Sequence, residues 1–158
     1  MNVRRATGLA IPALAFAAVA VLVVLVAVLI SPSPGPEWVH AGSLERINEK
    51  GVSFLPRDHV FVVAHDSQPI ALSEFPPHLP GDTVIFCRRS GWFEEPQHGS
   101  KFNRYGDYQL GPASGGLDRV AVRVLDGEVW VYPDAITQGR PRGYRTEEGT
   151  DPEGPFCA

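Results

Sequence analysis

The stretch from Phe86 to Tyr132, FCRRSGWFEEPQHGSKFNRYGDYQLGPASGGLDRVAVRVLDGEVWVY, leaves the fewest choices for how this chain folds. It reads as two loops and a return hairpin. Thr83 to Phe86 is a run of β-formers that feeds the first loop, CRRSGW. EPQHGSKF opens the second loop three residues after Trp92. GPASGGL is a Gly/Pro turn, and turn chemistry alone accounts for its Gly115-Gly116 pair. VAVRVLDGEVWVY then alternates, with Val120, Val122 and Val124 on one face and Val129 and Val131 on the return. Asp126-Gly127 sits at its tip, a strong hairpin signal. A chain built around this stretch is all-β.

The N-terminal part obeys a different rule. Leu9 to Ile30 is a run of 22 residues without a charge, enough to cross a hydrocarbon core of about 30 Å as a helix. Arg4 and Arg5 precede it, and no basic residue follows until Arg46. That asymmetry predicts a cytoplasmic N-terminus and a domain on the outer side of the cell membrane. The run is longer than the apolar region of a signal peptide, and no small-x-small site closes it before SPSPGP. No cysteine follows it as a lipoprotein anchor would require. The expectation is an uncleaved, single-pass anchor.

Without Arg4 and Arg5, 12 of the 14 basic residues remain beside 18 acidic ones. An acidic outer domain argues against nucleic acid or an anionic membrane surface as partner. The two cysteines, Cys87 and Cys157, lie on the oxidising side and can pair as a disulfide. Pairing requires their Cα atoms to come within about 7 Å, a distance the sequence leaves open.

In chain order, residues 1–8 form a cytoplasmic terminus and 9–30 the transmembrane helix. Residues 31–50 are a linker and a short helix, 51–133 the β domain and 134–158 a C-terminal extension. SPSPGP is a semi-rigid proline spacer. Glu37 to Lys50 suits a short helix, with Leu44 and Ile47 at i and i+3 and Ser43 as a candidate N-cap. Strands are predicted at Val52 to Pro56, Val60 to His65, Ile70 to Leu72 and Thr83 to Phe86. Further strands are expected near 100–105 and 108–110, flanking Gly106-Asp107, and at 120–125 and 128–132. EFPPHLPGD, Glu74 to Asp82, holds three prolines and cannot be regular structure. Pro133 to Ala158 loses all periodicity and reads as an ordered wrap or a loose tail.

HGSKF, then a hairpin, then LGPA, then a strand ending in DGEVWV resembles the Rieske [2Fe-2S] iron–sulfur domain family over about half the chain. The resemblance implies a Rieske-like antiparallel β-sandwich with a two-loop cluster-binding-type subdomain. In that family a Cys-x-His loop and a Cys-x-x-His loop hold the two irons. Cys87 stands at the first Cys position, Arg89 at the first His, Glu95 at the second Cys and His98 at the second His. Only Cys87 and His98 keep the ligand type. A carboxylate is a hard, poor substitute on a sulfur-bridged iron. Arginine stays protonated and offers no lone pair. In the respiratory form an extra cysteine in each loop braces the cluster, and here Trp92 and Gln97 occupy those places. Trp92 and Phe93 supply bulk to fill the vacated volume.

No metal and no cofactor are therefore expected, with a [2Fe-2S] cluster on atypical ligands as the alternative. Arg89 and Glu95 are expected to pair across the two loops, although a tip carrying Arg88, Arg89, Glu94 and Glu95 also reads as a solvated rim. The remaining imidazoles, His59, His65 and His78, show no ligand-like spacing. No phosphate loop, nucleophile elbow or HExxH occurs, so no independent catalytic site is evident. The reading that follows is a membrane-anchored, non-redox interaction or structural subunit beside an electron-transfer complex. The alternative is a Rieske electron carrier with unusual ligands.

Overall fold

The computed structural model describes residues 16, 19–23, 25, 26, 37–65, 68–144 and 151–158. The chain divides into two units, Met1–Gly35 and Pro36–Ala158. In the first, the described residues Phe16, 19–23, 25 and 26 are helical, and their apolar side chains are exposed. Among the described residues no helix is long and apolar enough to cross a membrane. Most of the expected anchor over 9–30, and the whole of 1–8 and of the SPSPGP spacer, lie outside the described residues.

The second unit is two antiparallel sheets. The larger has six strands: β1 (Val39–Ser43), β2 (Val52–Leu55), β3 (Val60–Val63), β4 (Ile70–Ser73), β9 (Arg119–Leu125) and β10 (Glu128–Thr137), in the order β1-β10-β9-β4-β3-β2. The smaller holds β5 (Ile85–Cys87), β6 (Trp92–Glu94), β7 (Lys101–Phe102) and β8 (Tyr108–Leu110), in that order. One short helix, α1 (Leu44–Lys50), packs against β1, β2 and β3. Since β1 and β2 are opposite edges of the sheet, contact of both with one helix means that the sheet curls and α1 closes the gap.

The predicted helix start is corrected. Val39–Ser43 is a strand paired with β10 through Val39 opposite Val131, and the helix begins only at Leu44. Ser43 caps it as expected, its Oγ accepting from the Arg46 amide at 3.3 Å. β10 also outlasts the expected end at Tyr132. Pro133 has no N–H to give the ladder, so the register breaks after Tyr132 and resumes with Ile136 opposite Val120.

Alternation along β3 divides the core in two. Phe61 and Val63 join Leu72, Val84, Phe93, Phe102 and Leu117 in the layer between the sheets. Val60 and Val62 face the other way, with Ile47, Ala71, Val120, Val129 and Val131 beneath α1. A strand buried on both faces must be apolar throughout, and VFVV is. Each such side chain contributes about 1.5–3 kcal/mol of burial. Val122 and Val124 are only half-buried, while Val129 and Val131 are fully enclosed. The small sheet rests on this core through Phe93, whose ring meets Phe61 edge-on at 5.0 Å. Its loops thereby project from a rigid base.

Candidate functional site

The loop after β5 and the loop after β6 lead to two separate constellations. The first loop is tight: the Gly91 amide donates to the Cys87 carbonyl at 2.8 Å, and the Ser90 hydroxyl donates to Glu94 Oε1 at 2.6 Å. Against it lies the C-terminal segment 151–158. Cys87 and Cys157 form a disulfide with Cα atoms 5.7 Å apart. The extension is thus ordered at its end, and the pairing that the sequence left open is made.

Glu94 organises this contact. Its side chain is 0% exposed, and Oε2 accepts from the amides of Cys157 at 2.9 Å and Ala158 at 2.7 Å. The ammonium of Lys101 lies 3.6 Å from the same oxygen and 4.8 Å from the centre of the Phe156 ring. Phe156 packs on Trp92 at 5.6 Å. The Glu153 amide donates to the Ser90 carbonyl, and Arg89 Nη2 donates to the Phe156 carbonyl at 2.9 Å. The two backbones touch closely: a Cβ added at Gly154 would stand 2.7 Å from the Arg89 carbonyl oxygen.

The second constellation draws on the second loop and the proline-rich segment. Glu95 closes its own loop, its amide donating to the Ser100 carbonyl and its carbonyl accepting from the Gly99 amide. LGPA packs directly behind: a Cβ at Gly111, where φ is +97°, would fall 2.5 Å from the Ser100 Cα. Only glycine fits there. The turn also holds the proline-rich loop, because the Ser114 amide and hydroxyl both donate to the Pro77 carbonyl, at 3.0 and 2.9 Å. The Val84 amide donates to the Glu74 carbonyl and closes that loop at its base. His78 and Asp82 are thereby carried to the second loop.

Four side chains meet there. His98 Nδ1 lies 2.8 Å from Glu95 Oε1 and 3.2 Å from Asp82 Oδ2, and the His78 ring stands edge-on to His98 at 5.0 Å. One donor atom from each of His78, Asp82, Glu95 and His98 falls within 4.8 Å of the others. Glu95 is 0% exposed and Asp82 is buried, whereas the His98 side chain is 40% exposed. Burial pushes the Glu95 carboxyl up, but hydrogen bonds from Ser100 and His98, with the His78 charge nearby, outweigh it and hold it below the usual range. The hydrogen bond to Glu95, then the charges of Asp82 and Glu95, raise His98 against its own desolvation.

Several sequence expectations are corrected here. Arg89 and Glu95 do not pair: Glu95 turns inward to His98 and Ser100, and Arg89 is taken by the C-terminal segment. The acidic pair is no solvated rim, since both carboxylates are enclosed. Cys87 and His98 fall in different constellations. His78 does reach His98, because a loop fold rather than a sequence spacing joins them. Among the other imidazoles, His59 pairs with Glu74 at 2.7 Å and His65 stands against Tyr105. Trp92 and Phe93 are buried as expected, Phe93 in the core and Trp92 beneath Phe156. Sequence reasoning missed Glu94, Lys101 and Asp82. The period of two along β6 was the available signal, because it sends consecutive acidic residues to opposite sides.

No protein-family model and no curated protein matches the chain. Among solved structures it is similar to the cyanobacterial plasma membrane Rieske protein PetC3 from Synechocystis. The two share 28% identity with a TM-score of 0.50, covering 59% of this chain and 97% of that one. HGSKF and LGPA, the motifs that carry the resemblance in the sequence, are the segments that build the second loop and its support. This similarity supports a Rieske-type domain.

Proposed function

We propose that this is a membrane-anchored Rieske-type domain acting as a non-redox interaction or structural subunit beside an electron-transfer complex. The single observation that carries the reading is the disulfide between Cys87 and Cys157. A Rieske centre asks for two thiolates and two imidazoles. Here the one cysteine at a ligand position is bonded to another sulfur, and its loop is covered by the segment that supplies that sulfur. Arg89 has no lone pair to offer, and Glu95 is committed to His98 and Ser100. The residues present do not fit a two-iron cluster.

The uncharged run over 9–30, the exposed apolar side chains of its described helical positions and the plasma-membrane location of the similar protein all support the anchor. A disulfide also suits a domain outside the cytoplasm. A partner would be held by protein surface, because the acidic domain offers little to nucleic acid.

The test is the visible spectrum with iron and sulfide analysis of the full chain, purified in detergent without exposure to air. A colourless protein with no acid-labile sulfide is expected, before and after reduction and reconstitution with iron and sulfide. Two irons per chain with Rieske-type absorption would establish the alternative, an electron carrier with atypical ligands.

A further inference from the structure

The first constellation, where the C-terminal segment is fastened to Glu94, and the second differ in what their charges lack. Glu94 is answered by a lysine, a hydroxyl and two main-chain amides. Glu95 and Asp82 face each other across a single imidazole, and among the described residues neither has a lysine or arginine within ion-pair distance. Two enclosed carboxylates without a fixed positive charge beside them leave room for the charge of a cation. The imidazoles beside them, His78 and His98, are the donors that a divalent transition metal prefers.

We propose that His78, Asp82, Glu95 and His98 bind a single divalent cation of the zinc class. Two carboxylates neutralise a charge of two, and two imidazole nitrogens complete four-coordination. Zinc–ligand bonds of about 2.0–2.1 Å put tetrahedral donors about 3.4 Å apart. The four donor atoms already lie within 4.8 Å, so side-chain rotations suffice to close them on an ion. The site is also supported as built metal sites are. Ser114 fixes the loop that carries His78 and Asp82, and the Ser100 amide donates to Glu95 Oε2 at 3.3 Å. The half-exposed His98 leaves an entry path. Magnesium and calcium, which take oxygen donors at higher coordination number, fit this set poorly. The other cysteine-and-carboxylate group, Cys87, Glu94 and Cys157, is no competitor, because its sulfurs are bonded to each other.

This site is distinct in chemistry from a Rieske centre. It takes one ion, uses no sulfide and recruits His78 and Asp82, which stand at no cluster-ligand position. It also survives either outcome of the test for a two-iron cluster as far as Cys87 is concerned, since Cys87 plays no part in it.

The experiment is titration of the full chain in detergent, without a histidine tag and stripped with a chelator, by zinc chloride in a calorimeter. Cobalt(II) absorption reports the geometry. One zinc per chain and visible cobalt bands of tetrahedral type are expected. His78→Ala and Asp82→Asn should each weaken zinc binding by more than the roughly 10–100-fold that follows loss of an outer-shell partner. His59→Ala, at the separate pair with Glu74, should leave it unchanged. Circular dichroism confirms that each variant is folded, and Asp82→Asn, nearly isosteric, serves if His78→Ala is not. Absence of zinc binding by the wild type overturns the proposal. Wild-type affinity in both His78→Ala and Asp82→Asn overturns it too.

Discussion

Glu94 and Glu95 are neighbours in sequence, both fully enclosed, and they live in opposite electrostatic worlds. The strand sends Glu94 toward Ser90, Lys101 and the C-terminal segment, where the protein answers its charge several times over. The turn after it sends Glu95 toward His98 and, beyond it, Asp82 and His78, where the protein supplies imidazole and one main-chain amide but no lysine or arginine. The difference teaches how two constellations on one frame can serve unlike ends. A saturated carboxylate is a structural fastener, because every donor it needs comes from the chain. An under-compensated pair of carboxylates invites a cation. In a Rieske centre the corresponding loops share one cluster, whereas here each has closed on different partners.

The largest effect should come from opening the fastener. Cys157→Ser removes a cross-link between residues 70 apart and should lower the unfolding free energy by about 2–5 kcal/mol. Urea denaturation of the full chain in detergent measures it, and an unchanged midpoint would show that the C-terminal segment adds nothing. Zinc affinity should stay the same in this variant. A large loss there would mean that the two constellations are one.

A smaller effect separates the two acids directly. Glu94→Gln leaves the enclosed Lys101 ammonium without its anion and should cost about 1–3 kcal/mol. Glu95→Gln should cost less in the metal-free protein, because the new amide oxygen still accepts from Ser100 and His98 while one of two crowded negative charges is gone. Denaturation midpoints ranked the other way would reverse the roles assigned here.

Much of the frame was legible before the structure. The 119–137 hairpin shows because its alternation is local, and HGSKF with LGPA marks the second loop because Gly111 and Ser100 must touch. β1 was hidden: VHAGS has little β character of its own, and it becomes a strand only by pairing with β10 some 90 residues on. The site was legible in its positions but not its contacts. A sequence shows that Arg89 and Glu95 are charged, not which neighbours a folded chain will bring. The disulfide and the arrival of His78 both depend on chain segments far from the two loops. Charge alone suggested a solvated rim, and the C-terminal segment that covers it had no periodicity to announce itself.

The smallest predicted effect concerns pH, measured with a chelator so that only the protein titrates. His98 has a raised folded value, chiefly through its hydrogen bond to Glu95, so its contribution is complete below its ordinary value of 6.5. That contribution fades as pH rises through the raised value. Glu95 is shifted the other way, since its hydrogen bonds from Ser100 and His98 exceed the burial that opposes them. Its contribution is complete above 4.5 and fades as pH falls through the lowered value. The two together stabilise the loop most between 4.5 and 6.5. Replacing His98 by Gln should therefore lower the melting temperature more at about pH 5.5 than at about pH 8.5. The same difference should persist in the Cys157→Ser background, because the fastener stands apart from these groups. A penalty that is flat with pH would mean that His98 is held by shape rather than by charge. The carboxylates would then face each other without the imidazolium that the geometry assigns to them.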